Sequence, residues 1–203
     1  MKKYAVLHEP GDIVTLAGTR FVVLDVERRG SLPDSLFLLA LESVGASEFG
    51  SSNNYAESDL KKAVDKWLED MGKRGLDNAR LIHREIDLTT LDGSGRYGKL
   101  SVKAAPLTLD EARKYADIIP NAERWCWLAT GWSGPSKSDG DFALCVSSNG
   151  DWGYGYCSGS CGVRPALKIP SDLLLDSADK PDLSEVPTDT LLEEIRRRVV
   201  DKA

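Results

Sequence analysis

Short apolar runs separated by turn residues fill the first forty positions. Residues 12–17 (DIVTLA), 19–26 (TRFVVLDV) and 35–41 (SLFLLAL) are short apolar runs separated by Gly18 and by the turn-rich cluster at 30–34. The pattern predicts an antiparallel meander. A helix follows: Leu60, Ala63, Val64, Trp67, Leu68 and Met71 recur at helical spacing behind a Ser58 cap, with Gly72 or Gly75 as the stop. A second helix opens at Thr108, in capping-box register with Glu111, and points Leu109, Ala112, Tyr115 and Ala116 at a core. Strands return at 125–129, 142–147, 152–157 and 163–169. Strands mixed with two separated helices, without regular βαβ alternation, indicate the α+β class.

Three further stretches shape the organisation. Residues 88–107 are glycine-rich in the middle and read as a loop or hairpin; Gly93, Gly95 and Gly98 lack the spacing and βαβ setting of a nucleotide-binding turn. Residues 171–187 are polar and carry prolines, which marks them as a linker after a domain spanning 1–170. Residues 188–203 form an amphipathic helix, with Thr190 and Glu193 in capping-box register and Leu191, Leu192, Ile195 and Val199 on one face. A helix this short is marginal alone in water, so it docks either on its own domain or on another subunit, through self-association or a partner.

Composition narrows the function. The formal net charge of −6 argues against general affinity for nucleic acid or anionic membranes. No run is apolar for long enough to span a bilayer. The first ten residues meet a charge and a proline before an apolar core forms, so synthesis in the cytoplasm without a signal peptide is expected, and later association with a virion would leave no mark of its own. Catalytic chemistry finds little support: the two histidines, His8 and His83, sit in no triad or metal motif, and Glu69 and Asp70 beside Lys66 and Lys73 form an ordinary solvated face. The four cysteines, Cys126, Cys145, Cys157 and Cys161, lack two close pairs of the structural-zinc kind. We therefore expect no cofactor and no metal, with reduced thiols serving as small fillers.

The run CVSSNGDWGYGYCSGSCGVRPAL, residues 145–167, stands apart. On alternating strand positions Trp152, Tyr154 and Tyr156 share one side and Gly153 and Gly155 the other. Three large polar-tipped aromatics beside glycines make a poor buried layer, so the stripe is expected at the surface. Aromatic rings with few rotors, set among Ser, Asn and Gly, are the composition of an adaptable recognition surface. The contact residues expected are Trp132, Ser133, Ser136, Ser138, Asn149, Asp151, Trp152, Tyr154, Tyr156, Ser158 and Ser160. Cys157 and Cys161 fall within the same changeable half.

Four segments also resemble a known family. NNYAESDLKKAVDKWL (53–68), APLTLDEARKYAD (105–117), RWCWLATGW (124–132) and GVRPAL (162–167) match, in order, the motifs of a bacterial and phage family of uncharacterised domains. That family is similar to the C-type-lectin-like group, which includes formylglycine-generating enzymes and the variable proteins of diversity-generating retroelements. The resemblance implies a C-type-lectin-like fold with short antiparallel strands, two main helices and a long irregular loop region, here followed by the C-terminal helix. It implies a ligand-binding, receptor- or adhesin-type protein of phage or bacterial origin, contacting a protein or glycan on a cell or host surface. It further implies retroelement diversification, since mutagenesis at template adenines turns Asn codons into the Asn, Asp, Ser, Gly, Tyr and Cys mixture of SSNGDWGYGYCSGSC. Trp67, Trp127, Arg164 and Pro165 would be scaffold, Arg164 holding a hydrogen-bond network and Pro165 fixing a sheet edge. WLAT replaces the family's W-L-R-S, and the calcium-binding triplets of sugar-binding lectins are absent. Two alternatives remain: a copper- and thiol-dependent oxidase using Cys157 and Cys161, and a structural subunit of a phage particle.

Overall fold

The computed structural model describes residues 2–5, 8–29, 32–135 and 140–177. Five strands come first: β1 (Lys2–Tyr4), β2 (Ile13–Leu16), β3 (Thr19–Arg29), β4 (Leu32–Ala40) and β5 (Ala46–Glu48). Helix α1 (Asp59–Lys73) follows, then β6 (Arg84–Asp87), β7 (Lys99–Val102), β8 (Ala104–Ala105) and helix α2 (Leu109–Lys114). The rest is β9 (Cys126–Gly131), β10 (Phe142–Val146), β11 (Trp152–Tyr156), β12 (Ser160–Gly162), β13 (Ala166–Pro170) and β14 (Leu174–Ser177). The class is α+β, with mostly antiparallel pairing. A seven-stranded sheet runs β1-β14-β2-β3-β4-β13-β8, a five-stranded sheet runs β11-β10-β9-β12-β5, and β6 and β7 make a separate hairpin.

The meander β2–β3–β4 forms as the apolar runs and the turns between them predict. Its period-two pattern divides the side chains between two cores. Phe21, Val23, Leu36 and Leu38 face Leu60, Val64 and Met71 of α1, whereas Val22, Leu24, Phe37 and Leu39 face Leu109, Ala112 and Tyr115 of α2. Both faces of the sheet are covered, so its central strands read as nearly continuous apolar runs. Each such side chain contributes about 1.5–3 kcal/mol on burial. Ser58 caps α1, its hydroxyl accepting from Lys61 N–H at 2.9 Å, and Gly75 follows the helix at φ +101°, a conformation that suits glycine. The Thr108–Glu111 capping box of α2 is present, and Glu111 also pairs with the buried Arg84. Helix α2 is shorter than its sequence pattern, and Ala116 is exposed rather than in the core.

The C-terminal third differs from expectation in two places. No strand spans 163–169: β12 ends at Gly162 in the small sheet and β13 begins at Ala166 in the large one, with residues 163–165 crossing between them. Pro165 therefore sits at a crossover, not at a sheet edge. It leads into β13, which is flanked by β4 and β8. β14 lies inside the stretch read as a linker and is paired with β1 and β2. The C-terminal helix at 188–203 lies outside the described residues.

A second crossover, residues 41–45, carries the chain from β4 to β5 alongside residues 163–165. The two straps are bonded to each other: Ala40 N–H donates to Pro165 O at 2.8 Å, Val44 N–H to Val163 O at 2.8 Å, and Val163 N–H to Gly45 O at 2.9 Å. Arg164 completes the junction. Its Nε donates to Ala40 O at 2.8 Å, Nη2 to Leu41 O at 3.0 Å and Nη1 to Pro120 O at 3.0 Å. Arg164→Ala would leave three carbonyls without their charged donor, and we expect it to lower unfolding free energy by roughly 3 kcal/mol in urea titrations. Arg164→Lys should recover only part of that loss, because an ammonium lacks the planar fork.

Candidate functional site

The five-stranded sheet is buried at its centre and exposed at both rims, β11 and β5. β9 is buried along its whole length because the two cores meet its opposite faces: Trp127 and Ala129 on one, Leu128 on the other. Trp127 is fixed by an Nε1–H bond to Ser47 O at 2.9 Å and by edge contact with Phe49 at a ring separation of 5.6 Å. Trp67, on α1, is half-buried and packs toward Phe21 with ring centroids 6.3 Å apart. β11 is the rim strand and pairs only with β10 among the described residues.

Alternation along β11 creates the exposed array. Trp152, Tyr154 and Tyr156 are 48%, 56% and 64% exposed. The glycines between them face inward against tryptophan rings: a Cβ at Gly153 would stand 2.6 Å from Trp125 Cζ3, and one at Gly155 would stand 2.9 Å from Trp127 Cη2. Only glycine lets the strand lie this close. The outward rings are braced sideways. Tyr154 contacts Trp132 at 4.4 Å and Phe142 at 5.5 Å between ring centroids, and Tyr156 contacts Phe142 at 4.4 Å. Such contacts fix ring positions and contribute about 0.5–1.5 kcal/mol per pair.

The turn that feeds β11 is ordered from within. Ser147 Oγ accepts from Asn149 N–H at 3.1 Å and Asp151 N–H at 3.0 Å, while Gly150 takes φ +86°. Asn149 and Asp151 are exposed at this end of the strand, and Ser158 and Ser160 beyond the other. Trp132 is half-buried and shows part of its ring. Ser133 is a correction: it is buried at the end of β9 rather than available to a ligand. Ser136 and Ser138 lie outside the described residues. Half-buried Phe142 borders the array, and Trp125, 45% exposed, lies under Gly153 on the other side of the strand; the alternation within β11 points to neither.

Asn53 is the support that sequence reasoning did not assign. Its amide donates to Ser133 O at 2.9 Å and Phe142 O at 3.0 Å, its side-chain carbonyl accepts from Tyr97 O–H at 2.6 Å, and its backbone N–H donates to Gly140 O at 2.9 Å. Gly131 must lack a Cβ, which would fall 2.9 Å from Asn53 O. The only sequence signal was the Asn-Asn-Tyr motif itself.

The thiols belong to the sheet interior. Cys126, Cys145 and Cys157 are buried and Cys161 is half-buried, all as free cysteines. Cys157, read with the changeable half, is scaffold: its carbonyl accepts from both Phe49 and Gly50 N–H. Burial, with Asp141 nearby, pushes its thiol up to about 12. Cys161 meets the Cys145 thiol; their hydrogen bond raises the Cys145 pKa and lowers that of Cys161.

No family model, curated protein or solved structure matches the chain.

Because Asn53 satisfies two carbonyls beneath the array, Asn53→Ala should destabilise the protein by roughly 2–4 kcal/mol in chemical denaturation. Its amide spectrum should change most at Ser133 and Phe142.

Proposed function

We propose that the protein is a ligand-binding protein of receptor or adhesin type, with a C-type-lectin-like fold, that meets a protein or glycan through the face centred on β11. The observation that carries this reading is the rim strand itself: three large aromatics turned to solvent, with the glycines between them seating the strand on the rings of buried Trp127 and of Trp125. Exposed aromatic clusters of this size mark interaction sites more often than bare surface. The rings offer broad contact area with little entropy left to lose, and Asn149, Asp151, Ser158 and Ser160 offer hydrogen bonds around them. The C-type-lectin-like assignment is supported by the short antiparallel strands, the two helices and the GVRPAL ending at the sheet junction.

Diversification by a retroelement belongs to the same proposal. Exposed positions at both ends of β11 and along its outer side are those where substitution would alter contact while the buried strand partners stay fixed. A reverse transcriptase gene beside this one, with a near-copy of the codons for residues 125–167 differing at adenines, would establish it.

Binding is tested by probing a glycan array and a displayed peptide library with the native protein and with Tyr154→Ala. Signals should fall by about tenfold or more in the variant, a loss of 1.4 kcal/mol or greater. Its melting temperature should stay close to that of the native protein. Signals unaffected by the substitution would refute the assignment of this face.

A further inference from the structure

A second concavity lies beside the aromatic rim, on the α2 side of the small sheet. It is a cavity of about 300 Å³ walled by α2, by residues 119–122, by the β10–β11 turn and by strands β4 and β9. Its apolar lining includes Leu39, Leu107, Ala112, Leu128 and Val146, drawn from both sheets and the helix. Arg164 is in the same wall, joined there to Pro120 by the Nη1 hydrogen bond.

Arg164 is only 7% exposed, and a charge buried this deeply is costly unless it is paired. Its guanidinium has five N–H donors and three bonds, all to backbone carbonyls. Among the described residues no carboxylate lies within ion-pairing distance of it. Among the described residues the junction thus uses the geometry of the fork and sets no opposite charge against its own. Carbonyl dipoles offset part of that cost. A carboxylate reaching the two remaining donors would offset more, and the apolar walls would cover the rest of the molecule that carried it.

We propose that this cavity binds a small apolar monocarboxylate, with the carboxylate at Arg164 and the hydrocarbon body against the walls between α2 and β9. At ~30 Å³ per water-sized volume, the cavity holds about ten non-hydrogen atoms. The site is distinct from the outer array, although Trp152 and Asn149 border both.

The test uses octanoate as ligand and octanamide, equal in size but uncharged, as its control. Titration of the full chain should be followed by nuclear magnetic resonance at the indole N–H signal of Trp152 and the methyl signals of Leu39 and Leu128, all in the cavity wall. Octanoate should shift these signals saturably, and octanamide should bind about tenfold more weakly or worse. Ala122→Phe, which places a ring in the wall without touching the Arg164 bonds, should abolish octanoate binding while the protein stays folded. Equal binding of the two ligands, octanoate binding that survives Ala122→Phe, or no octanoate binding at millimolar concentration would each overturn the proposal. Tyr154 and Tyr156 are not in the cavity wall, so the Tyr154→Ala test of the outer face is read separately from these outcomes.

Discussion

One buried cation holds the two sheets of this protein in register. Arg164 binds the carbonyls of Ala40, Leu41 and Pro120, and so ties the end of β4 to the crossover that leads into β13 and to the loop after α2. A neutral side chain could form only part of this fork. Hydrogen bonds from a charged donor are roughly twice as strong as neutral ones, and here they act where both crossovers leave the sheets and backbone groups would otherwise go unpaired. The backbone bonds between the straps then complete a junction that resists shear in either direction.

The rest of the architecture follows from that junction. With the straps fixed, β5 lies at one rim of the small sheet beside β12, β9 and β10 are interior, and β11 is the opposite rim. Trp127 fills the space beneath, and the glycines of β11 rest on it and on Trp125. The exposed rings are therefore not a loose surface ornament. The two glycines between them lie against the rings of Trp125 and of core-buried Trp127, so the strand that carries the rings is seated closely on its own sheet.

Much of this was legible in the sequence where the signal was periodic. The β2–β3–β4 meander, α1 with its Ser58 cap, the Thr108–Glu111 box and the alternating Trp-Gly-Tyr-Gly-Tyr strand all depend on contacts within a few residues. What failed depends on partners far along the chain. Ser133 looks like an ordinary loop serine, yet it is buried, with its backbone carbonyl bonded to the amide of Asn53, eighty residues away. The SCGVRPAL run contains two short strand pieces in different sheets, and nothing in it announces where one sheet ends and the other begins. β14 is four residues long within a polar stretch, and its assignment rests on pairing with β1 and β2 at the other end of the sequence.

The central claim is a division of labour at Gly162: residues before it that face solvent serve contact, and those after it serve the fold. The most direct measurement is protease resistance across a displayed library of all single substitutions from Asn149 to Leu167. The division predicts tolerance at Asn149, Asp151, Trp152, Tyr154, Tyr156, Ser158 and Ser160, with sharp loss of resistance at Gly153, Gly155 and each position from Gly162 to Leu167. If the three exposed aromatics prove as costly to replace as Arg164, the rim strand is part of the core and the claim is wrong.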